Sequence, residues 1–398
     1  MRCAHFAEIT ILLCVSTFSF GASPKQLAEL TASDGTPTDG FGASVAVNGD
    51  TIIVGAPYTS IGSNSGEGAA YVFVKPSGGW HNMTEVAKLT PSDGSSDLWF
   101  GHSVAVDKDT IVIGSDDINS SSNVYVFVKP ATGWKDMTET AEFTGPDYLG
   151  LSVAIAGNTI VAGASEAAYL YLKPKGGWAS TSRANAVLTE SNPVRGDDFG
   201  ESVAISGKTV IVGAPGRGDG LGSASIFVKP RSGWTSMTPT ATLTASDGSD
   251  GDSFAFSVAI TSGFAVVGAP NHRSGGPAGA GAAYVFVEPL SGWTDGTESA
   301  ELTPPVPVYG GAVGWSVALT GSEALAGSPF NNNEDEGLAY LYKKPKNGWE
   351  TTSDDFAELL PSDPIEGDSF AISEAMQGGT IVVGASKVVQ APGAAYVF

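Results

Sequence analysis

A block of roughly fifty to sixty residues recurs seven times along the chain and accounts for nearly all of it. Each copy opens on an aromatic or apolar residue, a small residue and a Ser-Val-Ala-like run. A β-branched run ending near Gly-Ala-Pro follows, then an Ala-Tyr-Val-Phe run. The opening is plainest at Phe41-Gly42-Ala43-Ser44-Val45-Ala46 and Phe199-Gly200-Glu201-Ser202-Val203-Ala204, with variants starting at Phe100, Leu149, Phe254, Val313 and Phe370. A repeat of a few short strands cannot bury both faces of its sheet alone, so the copies must stack on one another.

Residues 41–100 show the organisation of one unit. A short strand over 44–47 runs into Asn48-Gly49, a pair that favours a tight two-residue hairpin because both turn positions need positive φ. The second strand, 51–54, is rich in β-branched residues, and Gly55-Ala56-Pro57 ends it because proline cannot donate to a ladder. A polar loop over 58–68 leads to a third strand over 69–74, a turn over 75–80 and a fourth strand over 86–90. Asp93-Gly94 then opens the path to Phe100. The unit reads as a four-stranded antiparallel meander with nearly continuous apolar strands, as expected of sheets covered on both faces. A radial stack of such sheets is a β-propeller.

The chain ends favour a closed ring over an open superhelix. The last copy stops at Ala395-Tyr396-Val397-Phe398, its third strand, while 27–35 matches the fourth-strand run 86–94 of the first copy. The predicted fold is all-β: a seven-bladed β-propeller over 22–398, with the N-terminal strand completing the last blade and removing the open sheet edges. Gly55, Gly114, Gly163, Gly213, Gly268, Gly327 and Gly384 share one position, where backbones crowd near the ring axis and a Cβ is not tolerated. The recurrent Gly-Trp turns at Trp80, Trp134, Trp178, Trp234, Trp293 and Trp349 read as structural, each ring capping its own blade.

The Phe-Gly and Gly-Ala-Pro elements resemble the FG-GAP repeats of the integrin α-chain N-terminal propeller and of integrin-like proteins of microbes and simple eukaryotes, over about residues 25–398. The resemblance implies a seven-bladed propeller and extracellular recognition through the face built by the loops between strands two and three and between blades. Several integrin repeats carry an Asp-x-Asp-x-Asp-Gly calcium loop between strands one and two. The corresponding residues here, such as Asn48-Gly49-Asp50, Asp107-Lys108-Asp109 and Ser206-Gly207-Lys208, lack the oxygen ligands calcium requires. No cofactor or metal is expected. Asp247, Asp250 and Asp252, and the loop 331–336, read as solvated acidic loops, and Arg195-Gly196-Asp197 as a chance tripeptide.

A formal net charge of −22 argues against nucleic acid or an anionic membrane surface as partner. Arg2, the apolar run 9–20 and Ser19-Phe20-Gly21 form a secretory signal over 1–21, too short to span a bilayer. Cys3 and Cys14 both fall inside it, so the mature chain is expected to hold no thiol or disulfide and to be secreted, monomeric as a domain and without a membrane anchor. Asn82-Met83-Thr84 and Asn119-Ser120-Ser121 are N-glycosylation acceptors in a eukaryotic host.

His81, His102 and His272 occupy different structural positions, which argues against a multi-histidine metal site, and His102 reads as an edge or channel-side substitution, not a base. No nucleophile elbow is present, and the chain is not expected to be an enzyme. The loops after Gly-Ala-Pro vary most and share one face of the disc with the inter-blade loops, as on a rigid scaffold that presents a recognition surface. Candidate contacts on that face are Asp116, Asp117, Arg217, Asp219, His272, Arg273, Asn332, Glu334 and Asp335. The expected function is recognition of an extracellular protein or glycan in adhesion or a matrix. The alternatives are a polysaccharide-acting enzyme with carboxylates near the central opening, or a structural module of a larger adhesin.

Overall fold

The computed structural model describes residues 24–117, 122–146, 148–273, 277–331, 336–364, 367–386 and 392–398. The leader 1–21 with Cys3 and Cys14, and Asn119, Asn332, Glu334 and Asp335, lie outside the described residues. The fold is all-β: seven blades, each built on four antiparallel strands, close into a propeller. In blade 1 the strands run in the order Ser44–Asn48, Thr51–Ala56, Ala69–Val74 and Ala87–Leu89, from the axis to the rim. Blade 7 takes Phe370–Gln377, Thr380–Ala385 and Ala394–Val397 from the end of the chain and Ala28–Thr31 from its beginning. Ala28 pairs with Val397 and Leu30 with Ala395, antiparallel, which shuts the ring. Among the described residues no helix is long and apolar enough to cross a membrane.

The continuous apolar strands serve two cores at once. In the second strand of blade 1, Ile52 and Val54 face blade 7, whereas Ile53 faces blade 2. Alternation is present, but it sorts side chains between two dry layers instead of between core and water. The leading phenylalanine and the Ala-Tyr-Val-Phe strand form one unit of packing. Phe41 meets Tyr71 and Phe73 edge-on at centroid distances of 5.4 and 6.1 Å, and Phe100, Phe254 and Phe370 repeat this arrangement. Such edge-to-face pairs are worth about 1 kcal/mol each beyond the area they bury. Blade 3 opens on Leu149 instead, and there Phe143 from the preceding fourth strand stacks on Tyr171 at 4.3 Å.

At the axis, one serine per blade ties its strand to the next blade. Ser44 Oγ donates to the Gly101 carbonyl. Ser103, Ser152, Ser202, Ser257, Ser316 and Ser373 make the same bond onward, the last returning to Gly42, all at 2.7–2.9 Å. This hoop explains the glycine of Gly-Ala-Pro. A Cβ on Gly55 would lie 2.1 Å from the Gly101 oxygen and 2.3 Å from Ser44 Oγ, and its six equivalents meet the same carbonyl within 2.4 Å.

The rim is stitched in parallel. Glu85, Glu139 and Glu298 each accept from the backbone N–H and hydroxyl of a serine in the preceding inter-blade loop, Ser33, Ser92 and Ser246. At the chain closure Gln26 accepts from the Ser362 N–H in the same way.

Two local expectations differ from the structure. Asn48 pairs with Thr51, so the hairpin turn is Gly49-Asp50, one residue later, and only Gly49 has positive φ. Asn48 stays extended because its side chain accepts from the Lys108 N–H of the next blade. The tryptophans do not cap single blades. Trp80 packs with Leu30 and Val397 of blade 7 as well as Ile52 and Phe73 of blade 1, sealing the layer between them, and the other five seal theirs likewise. The layer between blades 6 and 7 holds no tryptophan among its described residues. Leu341, Phe356, Met376 and Phe398 there border a cavity of about 250 Å3.

Gly55→Ala is expected to destabilise the fold by about 2–3 kcal/mol through forced separation of blades 1 and 2. Gly78→Ala, whose Cβ would enter open space, should leave the melting temperature unchanged in the same calorimetric comparison. Removal of residues 27–31 should lower the melting temperature sharply, and a trimmed chain that melts like the parent would contradict ring closure.

Candidate functional site

Two residues after each leading Phe, Leu or Val, the chain places a side chain at one mouth of the central channel: Ala43, His102, Leu151, Glu201, Phe256, Trp315 and Ile372. Their backbones are fixed, because the residue before each one carries the carbonyl that receives the serine hoop. Gly42, Gly101, Gly150, Gly200 and Gly314 take positive φ there, and Ala255 and Ala371 hold the same conformation at +73° and +69°. Only the following side chain is free to vary.

The mouth divides into two sectors. On one side Glu201, Asp116 and Asp198 border a cavity of about 260 Å3 together with Tyr148 and Leu151. Burial pushes the Glu201 carboxyl up to about 7, and the charges of Asp198 and Asp116 add to the shift. Asp198 is raised by burial and by its neighbour Asp197. His102 stands 4.0 Å from Asp116 through Nδ1, and desolvation holds its imidazole below the ordinary value against the pull of that carboxylate. On the other side Phe256 and Trp315 pack at 4.7 Å, and Phe330 meets Trp315 edge-on at 5.0 Å. All three rings are half-buried.

The nominated contacts fare differently. Asp116 lies in the acidic sector, and Asp219 and Arg273 are exposed on the loops. Asp117 is buried, its backbone N–H donating to Ser122 Oγ. Arg217 is engaged within the protein: Nη1 donates at 2.5 Å to Glu190, whose side chain is 1 % exposed. His272 is buried between blades 4 and 5. Asp252 is buried as well, not solvated, with Oδ2 accepting from the Ser249 N–H and contacting His272. In Arg195-Gly196-Asp197 the aspartate is buried and accepts from the Val194 N–H, so the tripeptide does not present its carboxylate. The Asn82 side-chain oxygen Oδ1 accepts from the Glu29 N–H and stitches the N-terminal strand to blade 1. Glu201, Asp198, Phe256, Trp315 and Phe330 were not nominated. For Glu201, Phe256 and Trp315 the signal was a position that varies inside an otherwise repeated motif; Asp198 and Phe330 lie outside that position and carried no such signal.

A family model described as the FG-GAP repeat matches residues 24–73, 83–127, 183–227, 237–286 and 354–398, more than half of the chain. Comparison with curated proteins finds no match.

Glu201→Gln tests the electrostatics of the mouth. A carboxyl raised in the folded state supports stability below its unfolded value of 4.5, and that support is lost as pH rises through about 7. The variant should melt about 1–3 °C above the parent at pH 8. The difference should vanish near pH 4.5, as read from melting curves across that range.

Proposed function

Because the chain belongs to the FG-GAP repeat family, we propose that it is a secreted recognition module that binds an extracellular glycan or protein through the variable-loop face, in adhesion or matrix contact. One observation carries this reading: the aromatic trio Phe256, Trp315 and Phe330 stands across the channel mouth from the carboxylates Asp116, Asp198 and Glu201. Partly exposed aromatic rings offer apolar surface for the C–H face of a sugar or for an aliphatic side chain. Carboxyl groups offer paired acceptors for hydroxyls or ammonium groups. The same acidity disfavours sulfated or uronate-rich chains, so neutral or amine-bearing glycans and basic peptide segments are the chemical class that fits. Secretion is supported by the apolar leader, which precedes the family match.

A second reading rests on Glu201 alone. A carboxyl that burial raises to about 7 can hold a proton where a general acid is needed, as in glycoside hydrolysis. Release of reducing ends from neutral polysaccharides, abolished by Glu201→Gln, would support it.

The binding proposal is tested by a glycan array and by capture from native extracellular material. Trp315→Ala should weaken binding at least about tenfold, the loss of a contact worth roughly 1.4 kcal/mol. Leu290→Ser, on a fully exposed turn of the opposite face, should leave it unchanged. Equal binding by both variants would place the ligand elsewhere.

A further inference from the structure

At the seam between blades 4 and 5, one imidazole sits among three carboxylates. His272 is only 7 % exposed, and its Nδ1 lies 2.7 Å from Asp252 Oδ2. A carboxylate only accepts, so Nδ1 carries a proton, and in the neutral imidazole Nε2 presents a lone pair. That nitrogen is buried without a hydrogen-bond partner. It points at Asp247 Oδ2, 3.4 Å away, and Glu301 Oε1, 3.8 Å away. Tyr284 fixes the first of these groups: its hydroxyl donates to Asp247 Oδ1 at 3.0 Å, which turns Oδ2 toward the imidazole. The Tyr284 ring also packs edge-on against His272. Three electron-pair donors thus converge with their ligand atoms within 4.8 Å of one another.

The repeat supplies its own comparison. At the seam between blades 7 and 1 the same places hold Asp34, Tyr71 and Lys88, with Tyr71 opposite Lys88 as Tyr284 is opposite Glu301. There Tyr71 donates to Asp34, and Lys88 Nζ reaches Asp34 at 2.6 Å and lies over the Tyr71 ring. The scaffold at that seam carries its own cation. At the blade 4–5 seam a glutamate stands where the lysine would be, and a histidine at the place of Thr59 completes a pocket of donors.

We infer that Asp247, His272 Nε2 and Glu301 bind a divalent first-row transition ion, with Zn2+ the best match, and that Asp252 is the outer partner that orients the imidazole. Bonds of about 2.0–2.1 Å in a tetrahedron put ligand atoms about 3.3 Å apart, close to the spacing from Nε2 to both carboxylates. The carboxylate–histidine arrangement through Asp252 is the support such ligands use to fix ring tautomer and orientation. Imidazole nitrogen selects Zn2+ and its neighbours over Ca2+ or Mg2+, which require oxygen ligands. Asp247 is 44 % exposed, so the pocket opens to solvent on that side and water completes the shell. The site lies on the variable-loop face, but the inference does not depend on what that face binds.

The test uses the full chain stripped with a chelator and dialysed. Zn2+ is added in calorimetric titration, and Co2+ is followed by its visible absorption. A single equivalent should bind, raise the melting temperature and give Co2+ bands of a nitrogen- and oxygen-ligated ion. Asp252→Asn should weaken Zn2+ binding by about 10–100-fold. Glu301→Lys, which copies the blade 7–1 seam, should abolish it while the metal-free variant melts at or above the parent. That outcome separates loss of the site from loss of the fold. Zn2+ binding unchanged in Glu301→Lys, an equal effect of Ca2+, or no saturable Zn2+ binding in the parent overturns the inference.

Discussion

At the axis the second strand of each blade approaches the opening residue of the next blade more closely than a Cβ on that strand permits. The serine hydroxyl of one blade bonds the carbonyl of the next, and the glycine of Gly-Ala-Pro lies directly beneath that bond. Each bond contributes only about 1 kcal/mol in isolation. The positional effect is larger, because the bond sets the spacing at which the dry layers between blades reach native packing density. Phe41 can sit on Tyr71 and Phe73, and Trp80 can close the rim, only when the inner strands stand at that distance. Phe-Gly, Ser-Val-Ala and Gly-Ala-Pro are therefore parts of a single contact, distant in sequence within a blade and shared between two.

That shared contact explains why so much of the architecture was readable. The blade count, strand order and completion of blade 7 by residues near 28–31 follow from repetition, and repetition survives single substitutions such as Leu149 or Val313 for phenylalanine. The layer assignment of the tryptophans was not readable, because a turn residue looks the same whether its ring folds over its own sheet or over the one before. His272 and Arg217 were equally opaque. Both lie in polar loops that suggest exposure, and their burial or pairing depends on Asp252 and Glu190 in loops of other sequence neighbourhoods. The channel mouth was half visible: His102, Leu151 and Glu201 stand at one place in the motif, but their convergence on one opening needs the ring to be assembled.

The same frame supports very different electrostatics from seam to seam. Lys88 and Asp34 neutralise one another between blades 7 and 1, Arg217 and Glu190 do so between blades 3 and 4, and between blades 4 and 5 three carboxylates surround an imidazole. Backbone bridges at these rims persist throughout, such as Leu30 with Met83 and Leu243 with Gly296. Because main-chain pairing and the serine hoop carry the registration, the polar residues above them are released from holding the blades in place. Function is accordingly free to reside in the side chains at the mouth and at the seams.

The hoop has no first or last member. In an open solenoid the terminal repeats have one neighbour each and peel away at lower cost than the middle, so such a molecule melts from its tips. Here every blade has two neighbours, and the peptide break falls in the outermost turn of one sheet, far from the axis. Which outer turn carries the break in the ring is thus nearly irrelevant to the force balance. Joining Phe398 to the strand Ala28–Thr31 through a Gly-Trp turn and opening any of the six outer Gly-Trp turns should give a ring of the same shape and cooperativity.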